Sequence, residues 1–160
     1  MKDKKLLTAR VILTVLTVAA VAAIFYNSSL DAIESTEQSS PITEWVNGIL
    51  ASLHIPFALT EGFIRKAAHF SEYTVLGLLL STTVYLYRKD RKKTFLTTLP
   101  IGVGIAVCDE LIQLIPAGRS SQITDVLIDS CGIAFGTLIV LLIISIKEKR
   151  KARKETLGSS

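Results

Sequence analysis

Residues 126–146 read VLIDSCGIAFGTLIVLLIISI, and residues 147–154, directly after them, read KEKRKARK. An apolar run of this length, interrupted by one charge at Asp129, suits a helix rising 1.5 Å per residue through a hydrocarbon layer about 30 Å thick. The Lys and Arg block that closes it marks a span emerging into the cytoplasm. Three further stretches share this character, over residues 11–26, 67–87 and 95–115. With 160 residues, 49% of them hydrophobic, and a mean hydropathy of +0.47, the chain reads as one all-α integral membrane four-helix bundle.

The basic residues set its orientation. Lys2, Lys4, Lys5 and Arg10 precede the first span; Arg88, Lys89, Arg91, Lys92 and Lys93 join the second to the third; the remaining block follows the fourth. Fifteen of the 18 Lys and Arg residues thus fall on one side, leaving only Arg65, Lys66 and Arg119 on the other. The positive-inside rule places both termini in the cytoplasm of a multi-pass protein of the cell membrane. Residues 1–10 then form a cytoplasmic basic N-terminus, 11–146 the transmembrane domain and 147–160 a cytoplasmic basic tail. The basic blocks are topology signals facing the lipid bilayer and its headgroups, so the net charge of +4 does not imply a nucleic-acid partner. The first span begins like a signal peptide, but its apolar run continues through Ile24, Phe25 and Tyr26, which favours a retained anchor. Cys108 and Cys131 fall inside spans and read as small packing residues.

The long external connection carries a second signal. Ser40 and Pro41 predict a helix start, with Ser40 as N-cap and Pro41 at the first helical position. Trp45, Val46, Ile49, Leu50 and Leu53 then share one face, so residues 41–54 read as an external amphipathic helix. It either lies on the outer leaflet or packs over the bundle's end. Thr60 caps the helix that leads into the second span. Pro100 predicts a kink in the third span, while Gly102, Gly104, Gly132 and Gly136 permit close helix contact.

Function is concentrated in the residues that interrupt these spans. His69 and Glu72 lie about 4–9 Å below the outer surface in the second span, and Asp109, Glu110 and Gln113 about 4–10 Å below it in the third. Asp125 and Asp129 enter the same layer from the fourth. His69 and Glu72 are three residues apart, Asp125 and Asp129 four, so each pair shares a helix face. Asp109 and Glu110 diverge by about 100° and need not face one centre. His69, Glu72, Asp109 and Glu110 are the candidate acid–base residues, with Glu72 or Asp109 orienting His69. Arg65, Lys66, Gln113, Arg119, Asp125 and Asp129 are candidate ligand-binding residues, the cations suiting phosphate or carboxylate. No metal site is assigned and no cofactor is specified. An alternative reading draws cation ligands from His69, Glu72, Glu110, Gln113 and Asp129, and another has the layer only hold the helices together.

These residues also carry a resemblance. Residues 63–77, FIRKAAHFSEYTVLG, and residues 109–119, DELIQLIPAGR, followed by DVLID over 125–129 and by Gly132, resemble the two signatures of VanZ-like membrane proteins. Phe25, Tyr26, Asn27, Ser28 and Ser29 resemble that family's segment after its first span, although the Gln often found near the position of Leu30 or Asp31 is absent. The likeness covers about residues 12–142. It implies a small bacterial membrane protein of the kind named for teicoplanin resistance. That link and the outward-facing polar layer together point to an envelope component, and Arg65, Lys66 and Arg119 suit the phosphate of a lipid-linked precursor or a phospholipid headgroup.

Overall fold

A computed structural model of the chain describes residues 2–30, 32–116 and 122–157. Five helices follow in order: α1 (Lys2–Ser29), α2 (Ala32–Ser52), α3 (Glu61–Arg88), α4 (Arg91–Ile112) and α5 (Ile123–Leu157). No strand occurs among the described residues. α3 touches all four other helices, and its most extensive interface is with α5; α1 and α5 also pack on α4. The basic residues 2–10 lie in α1 and 147–154 in α5.

Segments of α1, α4 and α5 are long and apolar enough to cross a membrane, over Asp3–Ser29, Arg91–Ile112 and Ile123–Thr156. The expected fourth span falls in α3, which matches α1 in length at 28 residues but is more polar. Its position explains the difference. A helix wrapped by its neighbours need not be apolar all round, and the cost of its polar groups falls when other helices supply partners.

Burial follows the pattern expected when lipid is the solvent. Thr17, Ser81, Thr83, Thr94, Thr98 and Thr137 are buried, while Val15, Val18, Leu96, Leu138 and Leu142 are exposed. Small hydroxylated side chains let helices approach and bond across the interface. Thr17 Oγ1 donates to the Leu13 carbonyl at 2.7 Å and lies 3.1 Å from Thr83 Oγ1, which is left as the donor of that second bond. The apolar core is small, built on Ile24, Tyr73, Leu76, Ala106 and Ile133.

Contacts at one end, the basic end, show which helix termini share a level. Arg10 on α1 donates from Nε and Nη2 to the Leu86 carbonyl of α3, at 3.2 and 2.9 Å, and its guanidinium lies over the Tyr87 ring at 4.9 Å. On α5, Glu148 accepts from the Tyr85 hydroxyl at 3.0 Å and pairs with Arg91 Nε at 3.5 Å. α3 and α4 are joined there by Lys89, whose φ of 53° is left-handed, and by Asp90, whose Oδ1 accepts from Lys93 N at 2.8 Å. That aspartate is the N-cap of α4.

Several expectations are corrected. α2 begins at Ala32, so Pro41 lies inside the helix and Ser40 is not its N-cap. The Ser40 hydroxyl instead donates to Glu61 Oε1 at 2.8 Å, tying α2 to the start of α3. Asn47 holds the same junction from both sides, donating to the Leu59 carbonyl and accepting from Leu59 N. α2 ends at Ser52 with His54 at φ 58°, where the 6→1 bond from Ile55 N to Leu50 O and the 5→2 bond from His54 N to Ala51 O close a Schellman turn. Trp45 on α2 is 68% exposed, which keeps it free for an interface. Thr60 caps α3 as expected, accepting from Phe63 N at 3.2 Å. Cys108 and Cys131 are free and exposed, not packed inside. Pro100 lies inside α4, within the expected third span.

Glycines decide how closely the central pair approaches. A Cβ on Gly132 would sit 2.6 Å from the Phe70 carbonyl oxygen, and one on Gly77 would sit 2.6 Å from the Ile133 carbonyl oxygen. Gly136 is equally tight, against Thr74 O. α3 and α5 therefore meet backbone to backbone, as small-residue faces permit. Gly102 faces the Ile133 side chain, but Gly104 has nothing within 4 Å and contributes no contact.

Candidate functional site

At the end away from the Lys89–Asp90 turn, four helices bring polar side chains together. The helical repeat places His69 and Tyr73 on one face of α3, Asp109 and Gln113 on one face of α4, and Asp125 and Asp129 on one face of α5. The close approach of α3 and α5 at Gly132 lies one turn below Asp129 and next to Phe70. It draws His69 Nδ1 to 3.4 Å from Asp129 Oδ1, within ion-pairing distance but without hydrogen-bond geometry.

Asp109 completes the centre from α4. One donor atom each from His69, Asp109 and Asp129 lie within 4.8 Å of one another. Asp109 and Asp129 are both fully buried, at 0% exposure. Asp109 Oδ2 accepts from Gln113 Nε2 at 3.4 Å, and Gln113 also reaches Ser28 Oγ on α1 at 3.5 Å. Asp109 Oδ1 and both Asp129 carboxylate oxygens have no hydrogen-bond partner.

The remaining predicted residues divide around this centre. Glu72 turns toward α1 and accepts from Asn27 Nδ2 at 3.3 Å. Glu110 is buried, but its Oε2 accepts from Gln122 N at 2.9 Å, at the entrance to α5. The 100° divergence between Asp109 and Glu110 is therefore realised: one faces the centre, the other the loop. Lys66 Nζ lies 3.7 Å from Asp125 Oδ1. Arg65 is exposed on α3, and Arg119 lies outside the described residues.

Two features differ from the sequence reading. The carboxylate beside His69 in ion-pairing distance is Asp129, rather than Glu72 or Asp109, because helix rotation and the α3–α5 contact select it. Tyr73 is not among the expected site residues, yet it is fully buried with its hydroxyl toward Asp109. Its position four residues after His69, on the same face, was the available signal. Asn27 and Ser28 were quoted within a motif but not assigned; the structure makes them the α1 partners of Glu72 and Gln113.

A helical bundle with an apolar exterior, three helices fit to cross a membrane and a buried polar layer toward one end defines a membrane protein. The family model described as VanZ/LLP1 matches residues 13–144, and the chain belongs to that family. No curated protein and no solved structure matches the chain.

Proposed function

We propose that the chain is a multi-pass protein of the cell membrane that binds a cell-envelope component, a lipid-linked precursor or a phospholipid headgroup, at the outer leaflet. The positive-inside rule puts the basic end in the cytoplasm and the polar layer near the outer surface. The observation that carries the reading is the set of buried polar atoms without partners in that layer, on His69, Tyr73, Asp109, Glu110 and Asp129. Buried polar groups without hydrogen bonds are costly, and a bound polar ligand relieves that cost. A groove of about 320 Å³ lined by Ala20, Ala23, Ile24, Asn27, Ser71, Glu72 and Val75 lies beside the layer. Its mostly apolar wall suits an acyl or prenyl chain, and its Asn27 and Glu72 edge suits the start of a headgroup.

In this reading the cations attract the ligand's phosphate or carboxylate: Arg65 from its exposed position one turn before His69, with Lys66 and Arg119. His69 is the group suited to carry a proton during any modification of the ligand, and Asp129 orients it. Occupying or altering an envelope component in this way would lower susceptibility to teicoplanin-type glycopeptides that recognise it. The test compares teicoplanin susceptibility of a susceptible bacterium expressing the wild type, His69→Ala or Arg119→Ala, with membrane accumulation measured by immunoblot. Both variants are expected to lose protection at equal accumulation. Protection retained by both refutes the proposal.

A further inference from the structure

We infer that His69, Asp109 and Asp129 form a binding site for a divalent transition-metal cation of the Zn²⁺ or Mn²⁺ type. Three helices each supply one residue, with one donor atom apiece lying within 4.8 Å of the others. Ligand atoms about 2.0–2.2 Å from a common ion lie about 3–4 Å apart, so small side-chain movements close the set. No metal site is expected from the sequence, and the alternative cation set there lacks Asp109.

A second observation points to a ligand. Asp109 and Asp129 have 0% exposure, and Asp109 Oδ1 and both oxygens of Asp129 have no hydrogen-bond partner. His69 Nδ1 makes no hydrogen bond either, and its ion-pairing neighbour is Asp129 Oδ1, the other proposed ligand. Among the described residues no Lys or Arg ion-pairs with either carboxylate; Lys66 is beside Asp125. Ionised together, two buried carboxylates beside one imidazole carry a negative excess that a doubly charged cation neutralises.

The surrounding bonds are those a metal site uses. Gln113 Nε2 holds Asp109 Oδ2 at 3.4 Å, while Oδ1 makes no hydrogen bond. Outer partners of this kind fix a ligand's orientation. One nitrogen and two carboxylate oxygens suit Zn²⁺ or Mn²⁺ better than Mg²⁺ or Ca²⁺, which favour all-oxygen sets. Three protein ligands leave a fourth position for water or an incoming anionic group. The site does not depend on the envelope reading: the first is tested by metal content, the second by drug susceptibility.

The test uses full-length detergent-purified protein carrying His54→Ala, which removes the other histidine. It is dialysed with Zn²⁺ or Mn²⁺, washed, and analysed by mass spectrometry for metal per chain. The expected result is one equivalent retained and a melting temperature that rises with metal concentration. His69→Ala and Asp129→Asn should retain none and show no metal-dependent rise. Gln113→Ala should bind roughly 10–100-fold more weakly. Circular dichroism reports whether each variant folds, and the titration of the His54→Ala protein stands even if one does not. Substoichiometric metal with no change in melting temperature overturns the inference, as does equal retention by folded His69→Ala and Asp129→Asn proteins.

Discussion

Replacing Gly132 by alanine plants a carbon 2.6 Å from the Phe70 carbonyl oxygen, 3.0 Å from Tyr73 Cβ and 3.1 Å from Thr74 N. A comfortable carbon–oxygen contact is about 3.3–3.6 Å, so α5 must retreat from α3 by about 0.7–1 Å. The atom in the way belongs to the backbone and cannot rotate aside as a side chain would. Over-packing of this kind costs about 1–3 kcal/mol, and a rigid neighbour puts Gly132→Ala near the upper figure. Alanine's better helix propensity returns about 1 kcal/mol, leaving a net loss of about 2 kcal/mol. For a chain of this size that lowers the melting temperature by about 4–8 °C. The retreat also carries Asp129 away from His69, one turn along the same interface. Thermal unfolding in detergent, followed by circular dichroism, reads the effect. Gly104→Ala is the control: with nothing within 4 Å it should gain about 1 kcal/mol from propensity alone. A Gly132→Ala protein melting at or above the wild type would refute the backbone-to-backbone packing of α3 on α5.

Two further outcomes follow from local structure. Asp90→Ala removes the acceptor for Lys93 N and should cost about 1 kcal/mol, lowering the melting temperature in the same assay by about 2–4 °C. An unchanged melt would show that the α4 cap is dispensable. Trp45, the chain's single tryptophan, should be quenched in vesicles by nitroxide lipids labelled near the headgroup and little by those labelled near the chain end. Strong quenching only by deep labels would place α2 within the bilayer core.

Much of the fold was legible because helices in lipid leave a direct trace in sequence. Apolar runs closed by basic blocks marked α1, α4 and α5, and the Thr60 cap marked the start of α3. The α2 start was not legible. Ser40 and Pro41 form a good N-terminal signal, but the preceding turn is compatible with helix, and Ser40 finds a better partner in Glu61. The shared level of the candidate residues was legible too, since a fixed rise per residue sets each side chain's depth.

Sequence alone determined that polar residues of three spans share one layer, because depth depends only on counting residues along each helix. It could not determine which of them touch. Each step along a helix turns the side chain by about 100°, and the rotation of one helix against another is set by packing. Here Gly77, Gly132 and Gly136 let α3 and α5 close together, and that contact chose Asp129 as the carboxylate beside His69. The same packing turned Asp109 inward, sent Glu110 to Gln122 and enclosed Tyr73. Local spacing proposed the members of the site; the meeting of helices distant in sequence selected its centre.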